Sequence, residues 1–228
     1  MRVGGAFGRL RRFAGGTRKA TRPGQPFSWG GDRGKLRAGR YPYNAQLGDS
    51  VLRYVALLRG INIGSHNRIA MPALREALGG AGFTDVKTYV QSGNVVLGSR
   101  AKPETVRKKV EKVLAEQFGL DVAVVVRSRA ELAAVARRNP LRKEATDPKR
   151  YQVTFLSAKL PAKVVRELED TAADGERVVV SGREVYTWHP STIARSKLWT
   201  KLAGKSLGVD ATSRNWSTVE ALLELLGE

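Results

Sequence analysis

The sequence predicts an α+β fold made of two halves, each with the element order β-α-β-β-α-β. Three observations lead to this prediction. Short apolar strands alternate with amphipathic helices from Leu52 onward, Ser-Gly dipeptides typical of hairpins join two strand pairs, and the same order of elements occurs twice. This order is the split β-α-β arrangement of ferredoxin-like folds, so the predicted architecture is a duplicated ferredoxin-like protein with a disordered basic N-terminal arm.

The first half begins with an apolar strand over residues 52–58 that only Arg53 interrupts, which predicts burial on both faces. Pro72 suits the first position of the next helix, which stops at Gly79, and Gly119 caps the second helix. The other elements of this half are strands over residues 86–91 and 94–97, the second helix over residues 103–118 and a strand over residues 122–126.

A connecting helix starts at Ser128, where Glu131 completes a capping box, and ends before Pro140. The second half consists of strands over residues 151–156, 177–180, 184–188 and 211–214, with helices over residues 161–171 and 196–207. A last helix carries leucine and valine at i, i+3, i+4 and i+7, and Ser217 with Glu220 is its predicted capping box.

Composition divides the chain into three segments. Residues 1–50 are rich in Gly, Arg, Ser and Pro without a helical or strand period, so they are predicted to be a disordered basic arm or a mis-annotated segment upstream of an initiator at Val51. The two ferredoxin-like halves are then residues 51–139 and 140–228, because the polar stretch 140–149 is the most linker-like part of the chain.

The formal charge of +19 is typical of proteins that bind polyanions. Residues 1–50, however, hold 11 Lys and Arg against 2 Asp and Glu, a net of +9, so almost half of this charge lies outside the predicted fold. The distribution weakens a nucleic-acid interpretation of the folded part.

The chain has no cysteine and two histidines, which excludes disulfides, thiolate nucleophiles and cysteine metal sites. No apolar run approaches the roughly 20 residues that a membrane span needs. We therefore expect a cytoplasmic protein with no metal, no cofactor and no membrane partner.

Three polar clusters lie where strands end or helices begin, which are places where side chains and free amides converge. The first cluster follows the first strand and contains Arg59, Asn62, Gly64, His66 and Asn67. Its glycines permit sharp turns, and an arginine there can pair with a phosphate or carboxylate, although no Walker or dinucleotide motif is present. The alternative is a structural loop whose asparagines hold the backbone turns.

The second cluster, in the first hairpin, contains Gln91, Ser92 and Asn94. A hairpin alone explains Ser-Gly, whereas Gln91 and Asn94 are not favoured in strands. All three residues are candidate ligand-binding residues, although support of the first loop is favoured over ligand binding.

The third cluster contains Ser196, Lys197, Arg214, Asn215 and Trp216. Its two cations add anion-binding capacity, Ser196 and Asn215 suit helix caps, and Trp216 can stack on a base, although burial is favoured for it. A groove shared by both halves would bring these cations near the first loop.

The clusters contain no Asp or Glu apart from Glu220, so paired-carboxylate catalysis and magnesium-assisted phosphoryl transfer lack residues. His66 is the only acid–base candidate near the first loop, and no catalytic residue is assigned.

Residues 54–64, 88–96, 196–198 and 212–216 closely resemble, in the right order, the hallmark segments of the bacterial family called domain of unknown function 1697. Two positions depart from the family pattern: Ser65 replaces a frequent glycine, and Leu97 replaces a common aromatic residue. The resemblance covers about residues 52–226, and it implies a duplicated ferredoxin-like α+β fold that starts just before the first strand. It implies no activity.

The main hypothesis is a protein that binds an anionic ligand, such as a nucleotide, phosphate or nucleic-acid backbone, between the two halves through Arg59, Asn62, Lys197 and Arg214. The second is an enzyme that uses His66 or Lys197 on a phosphate- or carboxylate-bearing small molecule. The third is a structural or protein-interaction module in which the polar clusters hold the halves in register. The sequence predicts no oligomeric state.

Overall fold

The computed structural model describes residues 50–204 and 206–227, and the structural statements below concern these residues. They form two four-stranded antiparallel sheets and six α-helices. The predicted arm over residues 1–50 lies outside the described residues, except for Ser50. None of the described helices is long and apolar enough to cross a membrane.

The first half has the predicted order of elements. In chain order they are β1 (Leu52–Leu58), α1 (Met71–Gly80), β2 (Thr84–Tyr89), β3 (Asn94–Ser99), α2 (Pro103–Phe118) and β4 (Val124–Ser128). The strands lie side by side in the order β2-β3-β1-β4. Residues 54–58 of β1 are all buried, as the uninterrupted apolar run predicts.

The second half repeats this arrangement. After the connecting helix α3 (Arg129–Arg138) come β5 (Tyr151–Leu156), α4 (Ala162–Thr171), β6 (Arg177–Ser181), β7 (Glu184–Trp188), a 3₁₀ turn (Ile193–Arg195), α5 (Lys197–Ala203), β8 (Ala211–Asn215) and α6 (Trp216–Gly227). The strand order is β6-β7-β5-β8, which matches the first sheet strand for strand. In each half the last strand, β4 or β8, pairs with the first strand of the same half.

The two halves share part of their core. Tyr54, Ala56 and Leu58 of β1 pack with residues of α1 and α2. Val55 and Leu57 point to the other face, into an apolar cluster that also contains residues of β5, β7, α3 and α6. Because burial of each large apolar side chain stabilises a fold by about 1.5–3 kcal/mol, this shared cluster holds the two sheets together.

The first hairpin differs from the prediction. Tyr89 pairs with Asn94, so residues 90–93 form a four-residue turn rather than a two-residue Ser-Gly turn. Gly93 has a φ of 74°, and a Cβ at this position would lie 2.9 Å from the Cβ of Leu58. A glycine is therefore required where the turn packs against the end of β1.

Two further differences from the prediction lie at helix ends. The Ser128–Glu131 capping box is confirmed, and Ser196 caps α5 by accepting a hydrogen bond from the Trp199 N–H, but α5 ends at Ala203 rather than near residue 207. The predicted Ser217–Glu220 box is wrong. Asn215 Oδ1 accepts the Thr218 N–H at 2.9 Å instead, so α6 begins directly after β8.

Candidate functional site

A cleft of about 360 Å³ lies where the end of β1 meets α5 and β8. We call it the Arg214 cleft. Its polar lining residues are Arg59, Ser92, Thr212, Ser213, Arg214, Asn215 and Thr218. Its large apolar lining residues are Leu58, Ile61, Ile63, Trp199 and Leu202. The cleft thus contains members of all three predicted polar clusters, and no acidic side chain lines it among the described residues.

Arg214 is buried in the wall of this cleft, and all five of its guanidinium hydrogens have acceptors. The acceptors are Asn94 Oδ1, Thr212 Oγ1 at 2.7 Å, Ser213 O at 2.7 Å, Leu58 O at 2.9 Å and Gly93 O at 3.2 Å. None of them is a carboxylate. Burial lowers the pKa of Arg214 from its ordinary value to about 10, so the group stays charged at neutral pH.

Arg214 therefore supplies the cleft with charge rather than with free hydrogen-bond donors. Its side chain ties β8 of the second half to β1 and the hairpin turn of the first half. The sequence prediction that Arg214 lies near the first loop agrees with this placement, but its contacts are internal.

Arg59 lies at the mouth of the cleft, directly after β1. Its Nη2 donates to the carbonyl oxygens of Ala203 at 3.0 Å and Gly204 at 2.9 Å, which are exposed at the end of α5. The backbone N–H of Arg59 is bound to Ala123 O at 2.9 Å, which fixes the start of the side chain. Its Nε and Nη1 show no acceptor within residues 50–204 and 206–227, so they are available to a ligand.

The rest of the first cluster shapes the loop. Asn62, with a φ of 53°, binds the Ile69 N–H and O and also Gln91 O, while Asn67, with a φ of 49°, donates to Gly60 O at 3.1 Å. These bonds fit the structural interpretation of the asparagines. Gly64 and His66 lie at an exposed tip and do not line the cleft.

In the second cluster only Ser92 lines the cleft. Asn94 is fully buried and donates to Tyr89 O and Ser92 Oγ while its Oδ1 accepts from Arg214. Gln91 is exposed and contributes its backbone carbonyl to Asn62. Asn94 and Gln91 therefore support the loop and the buried arginine, as the sequence favours.

The third cluster is split by the fold. Lys197 is exposed and outside the cleft lining, and Ser196 is buried as the cap of α5. Trp216 stacks on Tyr151 with ring centroids 4.8 Å apart and is buried, so it belongs to the shared core rather than to the cleft. Asn215 also lines the cleft, but its Oδ1 accepts the Thr218 N–H and thereby caps α6.

Sequence reasoning missed Trp199 and assigned no role to Thr212, although Thr212 belongs to the family segment 212–216. Both residues line the cleft. Trp199 lies three residues after the helix cap Ser196, which is the signal that places it on the first turn of α5. Behind it, the buried His189 meets the indole edge-on with ring centroids 6.3 Å apart.

His189 is held by a buried carboxylate. Its Nδ1 lies 2.7 Å from Glu176 Oε1, and the other oxygen of Glu176 accepts the Ala173 N–H at 2.9 Å. Burial alone would raise the pKa of Glu176, but hydrogen bonds from Ser196, Ala173 and His189 lower it below its ordinary value. This pair fixes the wall behind Trp199.

A second cleft, of about 370 Å³, occupies the equivalent position in the first half. We call it the Arg127 cleft. Arg127 lies opposite Val55 in the first sheet, as Arg214 lies opposite Val153 in the second. The Nη2 of Arg127 donates to Leu156 O at 2.8 Å and Arg183 O at 3.1 Å, the end of β5 and the turn before β7. The two arginines thus make reciprocal contacts, each with the first strand and hairpin of the other half.

The two clefts differ in charge. Arg127 Nε donates to Glu184 Oε1 at 3.0 Å, whereas the equivalent acceptor of Arg214 is the amide of Asn94. Glu184 and Asn94 occupy matching positions, opposite Phe155 in β5 and Leu57 in β1. Desolvation and then the nearby Arg183 lower the pKa of Arg127, while Glu184 opposes the shift.

The other cations that line the Arg127 cleft are also mostly paired. Arg183 binds Glu131 at 2.5 Å, and Arg107 binds Glu104 and Glu111, each at 2.6 Å. In the Arg214 cleft no lining arginine has such a carboxylate among the described residues.

The sequence profile described as "Protein of unknown function (DUF1697)" matches residues 51–186, which is more than half of the chain. The chain belongs to this family. The matched region contains the first loop and the first hairpin, whereas residues 196–198 and 212–216 lie beyond it. The expected membership is confirmed, and the DUF1697 protein is part of an uncharacterised family.

Among solved structures, the DUF1697 chain is similar to the conserved bacterial protein SP0830 from Streptococcus pneumoniae, with 22% sequence identity and a TM-score of 0.66. The match covers 78% of this chain and 99% of that one, and at this identity it shows the fold alone. No curated protein matches the chain. In the described part of the DUF1697 protein, no group of three or more His, Cys, Asp and Glu side chains could hold a metal ion.

Proposed function

We propose that this DUF1697 protein binds a small anionic ligand, such as a nucleotide or another phosphate- or carboxylate-bearing molecule, in the Arg214 cleft. One observation carries the proposal. Among the described residues, Arg59 and Arg214 line this cleft without an acidic neighbour, whereas acids pair with Arg107, Arg127 and Arg183 in the equivalent cleft.

Electrostatics support this choice. Removing a charge from water costs several kcal/mol, and a nearby counter-charge offsets part of that cost. Arg214 has hydrogen-bond acceptors but no counter-charge among the described residues. A bound anion supplies the missing charge, so it is attracted to this wall and stabilises the folded protein.

The size of the cleft favours a small molecule. Its volume of about 360 Å³ is in the range of small-ligand pockets, which is about 300–1,000 Å³. A nucleic-acid backbone fits this proposal less well, because a polymer needs an extended groove. Catalysis is not part of the proposal, because neither His66 nor Lys197 lines the cleft.

The finer description of the fold is also a proposal. The strand order is the same in both sheets and follows the split β-α-β order, so we propose two ferredoxin-like halves with a boundary near residue 140. We place the protein in the bacterial cytoplasm.

Calorimetric titration of the full chain at low salt tests the function. Inorganic phosphate, nucleotides and small carboxylates are expected to include saturable ligands whose affinity falls as salt rises. Arg59→Gln should weaken that binding at least about fivefold, in line with the strength of charge-assisted hydrogen bonds.

Arg183→Gln is the matched control, because Arg183 lines the Arg127 cleft and is already paired with Glu131. It should leave the affinity unchanged. Absence of saturable binding by every one of these anions, or equal losses in the two variants, overturns the proposal. A short oligonucleotide in the same titration distinguishes a nucleic-acid backbone from a small ligand.

A further inference from the structure

Two hydrogen-bond chains lead outward from the buried Arg214 to hydroxyl groups of the cleft. In the first, Arg214 Nε donates to Asn94 Oδ1, and Asn94 Nδ2 donates to Ser92 Oγ at 3.0 Å. In the second, Arg214 Nη1 donates directly to Thr212 Oγ1 at 2.7 Å. Every bond in both chains is donated away from the positive charge. Both chains end on residues that line the cleft.

This direction decides what the two hydroxyls can offer. A hydroxyl that accepts a hydrogen bond keeps one hydrogen to donate. Within the described chain, the hydroxyl hydrogens of Ser92 and Thr212 have no acceptor, so both can be donated to a ligand in the cleft. Hydrogen bonds in a chain polarise one another, so the charge of Arg214 makes both hydroxyls better donors. This wall of the cleft therefore suits an oxyanion.

The free hydrogens of Arg59 add to the same donor set, because Arg59 and Ser92 both line the cleft. Arg59 is held in place by two carbonyl oxygens at the end of α5, so a ligand does not have to order the whole side chain. Three donors on separate elements match the several oxygens of a phosphate or carboxylate.

The rest of the cleft lining is apolar and aromatic. It includes Trp199, Ile61 and Leu202, and the ring of the buried His189 makes an edge contact with the Trp199 indole. The backbone N–H of Trp199 donates to Ser196 Oγ at 3.0 Å, and this hydrogen bond fixes the first turn of α5. An indole held in this way is a stacking surface for a planar ring.

We infer that the ligand of the Arg214 cleft is an oxyanion joined to a planar ring, as in a nucleoside monophosphate. The oxyanion binds Arg59 and the hydroxyls of Ser92 and Thr212, and the ring packs on Trp199. This inference rests on the proposed function and names its ligand class. Ser92 and Thr212 are then binding residues. Asn94 is a positioning residue, because its hydrogen bonds with Arg214 and Ser92 polarise the Ser92 hydroxyl.

Titration calorimetry of the full 228-residue chain with four probes tests this inference. The probes are inorganic phosphate, ribose 5-phosphate, adenosine monophosphate and adenosine. We expect adenosine monophosphate to bind about tenfold more tightly than ribose 5-phosphate, because stacking of one base on an aromatic side chain has this strength. Adenosine, which lacks the oxyanion, should bind at least about tenfold more weakly than the monophosphate.

Substitutions assign the two ends of the ligand. Trp199→Leu should remove the difference between adenosine monophosphate and ribose 5-phosphate without changing the affinity for inorganic phosphate. Ser92→Ala should weaken all three phosphate-bearing probes at least about threefold, and Ser92→Thr should restore them, since it keeps the hydroxyl. Ser65→Ala, at the exposed loop tip, is the control and should change none of them.

The outcomes separate this inference from the proposed function. Equal affinities for adenosine monophosphate and ribose 5-phosphate would show that no ring packs on Trp199, while the proposal of anion binding stands. Adenosine that binds as tightly as its monophosphate would show that the cleft does not recognise the oxyanion. Failure of all four probes and of every carboxylate overturns the proposed function itself.

Discussion

Arg127 and Arg214 occupy equivalent positions in the two sheets, and each contacts the first strand and the hairpin turn of the other half. They differ at Nε, which meets the carboxylate of Glu184 in one case and the amide of Asn94 in the other. Within the part of the chain that the structure describes, the same backbone geometry therefore occurs once with a counter-charge and once without. The acceptors are enough to hold a guanidinium in place, so the proposed ligand site depends on the uncompensated charge.

The largest effect is expected from Arg127→Met. The substitution leaves the Glu184 carboxylate buried without its closest cation, and removing one partner of a buried pair costs about 3–5 kcal/mol. Urea unfolding at pH 7 measures the loss. Glu184→Gln in the same background should recover part of it, since the stranded charge is then gone. A loss below about 1 kcal/mol would show that Arg138, 3.4 Å from Glu184, already suffices.

Arg214→Met should cost less, about 1–3 kcal/mol, although it removes one more hydrogen bond. The acceptors left behind, such as Leu58 O and Asn94 Oδ1, are neutral, and the desolvation cost of the arginine disappears with it. The same urea experiment compares the two variants directly. A loss equal to or greater than that of Arg127→Met contradicts the view that only the Arg127 cleft contains a buried ion pair.

Asn94→Asp places a carboxylate at the position that Glu184 occupies in the other half. It neutralises Arg214, so phosphate affinity is expected to fall about tenfold, which corresponds to about 1.4 kcal/mol. Calorimetry measures the affinity, and a thermal melt checks that the variant folds. Unchanged affinity in a folded variant would mean that the open charge of Arg214 plays no part in binding.

Phosphate affinity should also depend on pH. Arg214 keeps its proton below its pKa of about 10, so its attraction for an anion is complete at pH 8 and fades as the pH rises through 10. We expect severalfold weaker binding at about pH 11, although phosphate keeps its dianionic form. Affinity that stays constant over this range would assign the attraction to other cations.

The contribution of Arg214 to folding stability changes with pH in the opposite direction to its contribution to phosphate affinity. The ordinary pKa of arginine lies above the folded-state pKa of Arg214, so the unfolded chain binds more protons between these two pKa values. The contribution of Arg214 to stability therefore rises with pH in that window.

The smallest effect is expected from Arg183→Gln. Its pair with Glu131 is short, at 2.5 Å, but both side chains are more than a third exposed, at 40% and 37%. Exposed pairs contribute about 0.2–1 kcal/mol, and urea unfolding at low and high salt should show a small loss that salt reduces. A loss above about 2 kcal/mol would mean that this pair, and not only Arg127, holds the halves together.

Local patterns were enough to predict most of the fold. The continuous apolar run of β1, the amphipathic α2 and the capping box of α3 each depend on neighbouring residues, and all three appear as expected. The first hairpin turn does not depend on neighbours alone. It is held by contacts of Gly93 and Asn94 with β1 and β8, which the sequence of the hairpin does not reveal.

The candidate site shows the same limit more strongly. Arg59 and Arg214 were predicted to share a groove, but the polar run of β8 gives no sign that Arg214 is buried with every guanidinium hydrogen bound. Trp199 looks like an ordinary helix residue until β8 and the first loop are placed beside it. Long-range packing decides which polar residues are structural and which face the cleft.

The reciprocal contacts of Arg127 and Arg214 have the form of an isologous interface, in which residue i of one copy meets residue j of the other and the reverse also holds. Two identical chains of half this length, paired about a two-fold axis, would show this pattern with two equal clefts. In this chain the two sheets are built from different residues, so each can change separately. A symmetric dimer would carry a carboxylate like that of Glu184 in both clefts or in neither, whereas this single chain has Glu184 beside Arg127 and Asn94 beside Arg214.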